Sequence, residues 1–179
     1  MHERTQDAMT YVHHCGRPDL FITFTCNPKW VDITHKLFPG QQYSYRPDLI
    51  AHIFRLQLRE LMDLILKGQV FGRAKYHVYT VEWQKHGLPQ AHILLWLNDK
   101  VDANKIDDFI SAEILDPALE PFLHKIIKNN MIHSPCRANY EKRSCWSSDP
   151  TCTKGYPRKF ISETQTATDG YPLYRREAR

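Results

Sequence analysis

The sequence predicts an α+β fold: an antiparallel sheet with helices on one face, followed by an irregular Cys-containing segment. Three observations predict it. A short run at 20–26 is rich in β-branched and aromatic residues. A long stretch from Pro47 repeats apolar residues at helical spacing. Two alternating stretches, 70–84 and 90–97, flank a tight turn.

The elements follow in order. Arg4 to His14 reads as a short helix with Met9, Val12 and His13 on one face, broken by Gly16-Arg17-Pro18-Asp19. Leu20 to Cys26 reads as a buried strand that ends at Asn27-Pro28. Val31 to Tyr45 reads as a loop with Pro39-Gly40 as a turn. Pro47-Asp48 opens a helix whose Leu49, Ile50, Ile53, Leu56, Leu58, Leu61, Leu64 and Ile65 recur along one side, and Lys67-Gly68 closes it. Val70 to Gln84 alternates as a strand, Lys85 to Pro89 turns, and Gln90 to Leu97 returns. Ala103 to Phe109 and Pro117 to Asn130 read as helices. The order β-α-β-β-α suits a ferredoxin-like or split arrangement better than a doubly wound parallel sheet. Composition shifts after Met131, so residues 1–132 read as the core and 133–179 as an irregular Cys-rich and basic part of the same domain, cut rather than finished.

Composition narrows the function. A chain of 179 residues with 42% hydrophobic content can bury one core with a small appendage. Its 24 Lys and Arg against 20 Asp and Glu give a mildly basic balance, compatible with nucleic acid. The longest apolar run, Ile93 to Leu97, falls far short of the roughly 18 residues of a membrane helix. Residues Met1 to Asp7 lack the apolar stretch of a secretion signal. Neither a GxxxxGK[ST] loop nor a GxGxxG turn is present, which removes those two nucleotide-binding modes. Five unevenly spread cysteines argue against a disulfide framework and for a reducing, intracellular setting.

The hairpin carries the sharpest chemistry. With Lys85 to Pro89 as its loop, Gln84 is expected opposite Gln90, and Glu82 opposite His92. Glu82, Gln84, Gln90 and His92 then share one face, while Val81, Trp83, Ala91, Ile93 and Leu95 face the core. A carboxylate, an imidazole and amide oxygens together suit Mg²⁺ or Mn²⁺. The same pattern also describes an ordinary solvated sheet face, and a one-residue slip would scatter it.

Two further groups stand out. His133, Cys136, Cys145 and Cys152 offer a Cys₃His set for Zn²⁺, at spacings wider than paired CxxC motifs. Lys154, Arg158, Lys159, Arg175 and Arg176 interleave with Tyr156, Phe160, Tyr171 and Tyr174, the mixture of cations and stacking rings that single-stranded DNA uses. Trp30, in a loop after a proline, is a further stacking candidate, whereas Trp83 and Trp96 read as core. Cys15 and Cys26 read as small buried apolar groups.

The stretch Gly87-Leu88-Pro89-Gln90-Ala91-His92-Ile93-Leu94-Leu95 closely resembles the second motif of Helitron rolling-circle transposases, G-L-P-H-A-H-I-L-L. Pro18 to Pro28 is similar to that family's first strand motif, and Cys152 to Pro157 and Asp169 to Arg176 to its downstream stretches. The resemblance covers nearly the whole chain in order. It implies a HUH endonuclease core that binds single-stranded DNA and holds a divalent cation between histidines and a third ligand. It also implies nicking and rejoining through a phosphotyrosine, with a helicase domain in cis in full-length relatives. The sequence departs from the pattern twice. Gln90 stands at the first histidine, a neutral and weaker donor. The family's Y-x-x-x-Y helix lies beyond the Gly170-Tyr171-Pro172 stretch, so no catalytic tyrosine is assigned within this chain. Three readings stay open: an impaired or incomplete nicking domain, a catalytically dead DNA-binding remnant, and a zinc-stabilised interaction domain.

Overall fold

A computed structural model describes residues 12–102, 105–133, 145, 152–166 and 172–176. The chain divides into two compact units, Met1–Asp102 and Ala103–Arg179.

The first unit is built on a three-stranded antiparallel sheet of order β1-β3-β2, with β1 at Leu20–Thr25, β2 at Ala74–Trp83 and β3 at Pro89–Leu97. Strand β3 is central because it is the most apolar: Ala91, Ile93, Leu95, Trp96 and Leu97 are all buried. Residues 12–15 form a helical turn, α1. Helix α2 (Val31–Thr34) is a single turn that buries Ile33. Helix α3 (Pro47–Leu66) starts on a proline, which needs no N–H partner there and presets the helical φ. It buries Leu49, Ile50, Ile53, Phe54, Leu58, Met62 and Ile65, which recur every three or four residues along one stripe. Together with Leu20, Cys26 and the β3 residues they form the core.

The first unit's other contacts fix the sheet. Asp19 accepts the backbone N–H groups of Leu97 and Val101 at 2.9 and 3.2 Å, tying the start of β1 to the end of β3. The Trp96 indole donates to the Gly16 carbonyl at 2.8 Å, which closes the opposite sheet face at that end. Arg46 clamps Asp48 at the mouth of α3, and this hydrogen-bonded guanidinium pulls the Asp48 carboxyl down to about 2.

In the second unit, α4 (Ile106–Phe109) and α5 (Pro121–Asn130) precede a small ribbon of β4 (Gln165–Thr166) and β5 (Pro172–Leu173). Asp107 accepts the Thr164 N–H and hydroxyl, and these bonds lower its carboxyl pKa. The Thr164 hydroxyl oxygen in turn accepts the Arg175 N–H at 2.9 Å, and Arg175 pairs with Glu113 at 2.9 Å.

The α+β class and the strand–helix–hairpin–helix order agree with the sequence. Several details differ. The hairpin register is Glu82 opposite Gln90 and Thr80 opposite His92, because Pro89 belongs to β3 opposite Trp83 and the loop is Gln84–Leu88. The expected pairing is thus displaced by two residues, which preserves the facing of every side chain. Strand β2 begins at Ala74 rather than Val70, with a bulge between Ala74 and Tyr76. Trp83 is 51% exposed and Val81 half-buried, not core, since β2 is an edge strand and α3 packs over β3. The expected loop at 31–45 contains α2 and a 3₁₀ turn at Tyr43–Tyr45. Residues 133–179 are not wholly irregular, given β4, β5 and an Ile161–Arg176 bridge.

Candidate metal centre

On the sheet face away from α3, the even-numbered residues of β2 and β3 meet the odd-numbered residues of β1. Thr80, Glu82, Gln90 and His92 come from the hairpin, and Phe21, Thr23 and Thr25 from β1, where Thr23 pairs with His92 and Thr25 with Gln90. Gly87 makes the tight return possible, because its φ of +73° lies in the left-handed region.

The side chains converge. Glu82 Oε1 lies 3.0 Å from His92 Nε2. Thr23 Oγ1 lies 3.4 Å from His92 Nδ1 on the other side of the ring, and Phe21 stacks on it with centroids 5.5 Å apart and 4° between planes. The imidazole is therefore held on both edges and one face. The Gln84 amide donates to Gln90 Oε1, so the four hairpin residues expected on one face do form one cluster.

Glu82, Gln90 and His92 offer a carboxylate, an amide oxygen and an imidazole, donor types that divalent cations use. The 3.0 Å between His92 Nε2 and Glu82 Oε1 is a hydrogen bond, or an ion pair when the ring is protonated. Gln90, directly across from Glu82, accepts from the Gln84 amide through its side-chain oxygen. Thr23 and Phe21 were missed in the sequence. The alternation of Thr23 and Thr25 with Ile22 and Phe24 marks a polar face on β1, but nothing local shows that this face borders β3.

A second donor group lies in the second unit. His133, Cys145 and Cys152 place one ligand atom each within 4.8 Å of one another, a group able to hold a metal ion. The sulfurs of Cys145 and Cys152 lie 3.6 and 3.5 Å from His133 Nε2. Cys136, expected with them, lies outside the described residues. Cys26 is different in kind: burial pushes its thiol up to about 11, so it is protonated and unreactive at neutral pH. Among the described residues the cysteines form no disulfide.

The expected DNA contacts have varied surroundings. Trp30 is half-buried and stacks on Phe24, whose ring stacks in turn on Phe54. Lys154, Arg158 and Lys159 are exposed, with Arg158 over the Tyr156 ring. Arg175 is half-buried and committed to Glu113, and Arg176 is held through its backbone to Ile161. Tyr171 lies outside the described residues.

Residues 1–95 match the family described as the Helitron helicase-like domain at the N-terminus, and the chain belongs to that family. Membership relates it to Helitron transposition, and so to DNA. No curated protein and no solved structure matches it. Among the described residues no helix is long and apolar enough to cross a membrane.

Proposed function

We propose that the first unit is a HUH-type replication-initiator domain that binds single-stranded DNA across the Glu82–Gln90–His92 face. The observation that carries this reading is the 3.0 Å approach of His92 Nε2 to Glu82 Oε1 beside Gln90, within the motif that resembles the family's histidine pair. A bound Mg²⁺ or Mn²⁺ would supply Lewis-acid polarisation of a scissile phosphate. Glu82 contributes the negative charge of the donor set, His92 its soft nitrogen, and Gln90 a neutral oxygen. Thr23 and Phe21 hold the His92 ring in place. The attacking tyrosine of the nicking and rejoining reaction is not assigned to a residue of this chain. Exposed Lys154, Arg158 and Lys159 suit phosphates, and Trp30 offers a half-buried ring for a base. The soft donors His133, Cys145 and Cys152 suit Zn²⁺ rather than the hard cation of the hairpin. An intracellular, reducing compartment, nuclear in a eukaryotic host, fits those thiols.

The test is fluorescence anisotropy of a labelled single-stranded oligonucleotide with and without Mn²⁺, with duplex as control and at two salt concentrations. Preferential single-strand binding that strengthens with Mn²⁺ is expected. His92→Ala should abolish Mn²⁺ binding measured by calorimetry, and Gln90→His should tighten it by roughly tenfold or more. Equal Mn²⁺ affinity for wild type and both variants would sink the hairpin site. The second reading, a DNA-binding remnant without chemistry, is favoured by one observation: the Gln90 oxygen already accepts from Gln84. Single-strand binding indifferent to Mn²⁺ would establish it.

A further inference from the structure

Resting on the assignment of the Cys/His group to zinc, we propose that this ion is the folding core of the second unit. The first argument is geometric. Zn–N and Zn–S bonds of about 2.05 and 2.3 Å at a tetrahedral angle place nitrogen and sulfur about 3.6 Å apart. The two sulfur distances to His133 Nε2 are 3.6 and 3.5 Å. A neutral imidazole nitrogen has one lone pair and accepts one S–H hydrogen bond. Two sulfurs at the same distance from one nitrogen match two edges of a coordination tetrahedron better.

The second argument is what the unit otherwise lacks. Among its described residues Cys145 alone is buried, at 4% exposure. Leu119, Phe122, Leu123, Ile126, Met131, Ile132 and Phe160 are all exposed. Where the described residues bury so little apolar surface, a structural zinc site supplies folding free energy on the scale of a small domain's stability.

The third argument is that the backbone is shaped around the donors. The Thr153 N–H and hydroxyl both donate to the Cys145 carbonyl at 3.0 Å, bringing the two cysteine segments together. The Gly155 N–H donates to the Cys152 carbonyl at 2.8 Å, and its φ of +67° turns the chain back after the ligand. That turn sets Tyr156 flat on the His133 ring, with centroids 4.3 Å apart and Arg158 above the tyrosine. All three ligands are protein side chains, and a fourth from the protein would close the tetrahedron as structural zinc sites do. Cys136 is the sequence's own candidate for the fourth position.

The full chain, purified under reducing conditions without chelators, tests this in two stages. Atomic emission should find one zinc per chain. Co²⁺ in its place should give the visible absorption of a tetrahedral thiolate site. Cys152→Ser should lose both, His133→Cys should keep the zinc, and His92→Ala, on the hairpin, should keep it too. No zinc and no cobalt spectrum, or zinc that survives both Cys145→Ser and Cys152→Ser, would overturn the zinc assignment. The folding role is read separately by amide hydrogen exchange. Chelation of zinc should speed exchange at Thr153 and Gly155 by more than about tenfold, leaving Ile22 and Ile93 in the sheet unchanged. Zinc present at one per chain, but with exchange at Thr153 and Gly155 indifferent to its removal, would leave the site standing and overturn its role as a core.

Discussion

The two units solve the same problem with different means. Met1–Asp102 orders itself by burial: one stripe of α3 and the apolar side of β3 exclude water from each other. Ala103–Arg179, in its described residues, is organised by polar links, Asp107 to Thr164, Thr164 to Arg175 and Arg175 to Glu113, beside the His133–Cys145–Cys152 group. The contrast shows that the strength of the hydrophobic pattern governs how a segment is held. A twenty-residue amphipathic helix can cover half a sheet, whereas a ten-residue helix with exposed Phe122, Leu123 and Ile126 leaves the work to specific bonds.

This contrast can be broken in graded steps. The largest effect should come from Ile93→Ala. Ile93 is fully buried in the central strand, and its truncation should cost about 2–5 kcal/mol in urea denaturation followed by tryptophan fluorescence. A cost below about 1 kcal/mol would mean that burial is not what holds the first unit. Next, Thr164→Val keeps shape but removes the hydroxyl that donates to Asp107 and accepts from Arg175. A loss of about 1–3 kcal/mol confined to the second unit is expected by hydrogen exchange. No change in exchange within the second unit would show that the Thr164 hydroxyl does not hold it.

The smallest effect concerns acid. Asp48 is held near 2 by Arg46, below its ordinary value of 3.8, so it binds its proton less readily folded than unfolded. Its contribution is present above about 4 and is lost as the pH falls from there towards 2. The pair is exposed, so solvent and salt screen it. The Asp48 titration midpoint, followed by NMR, should return to the ordinary carboxylate range in Arg46→Ala. A midpoint that stays near 2 would refute the assigned cause.

Much of the first unit was legible in the sequence because its signals are periodic. The α3 stripe and the alternation of β3 are strong enough to fix type and facing. The shared facing of Glu82, Gln84, Gln90 and His92 does not depend on the exact hairpin register, since a displacement of two residues leaves them on the same side. Trp83 was misread for a complementary reason. Alternation gives the face of a residue but not its distance from the covering helix, and at the sheet edge that distance decides exposure. The single turn of α2 carries no capping side chain, and β4 and β5 are two residues each, too short for any period to show. The neighbours of His92 on β1 come from 69 residues away in sequence, a pairing that only the closed sheet reveals.

The order β1-β3-β2 has a kinetic meaning. Strand β3 bonds to a neighbour on both sides, so either edge strand can detach locally while β3 stays in place on the other. Gln90 and His92 both sit on β3, whereas Glu82 sits on an edge. Two of the three candidate ligands therefore belong to the strand bonded on both sides, which puts them where local opening is costliest.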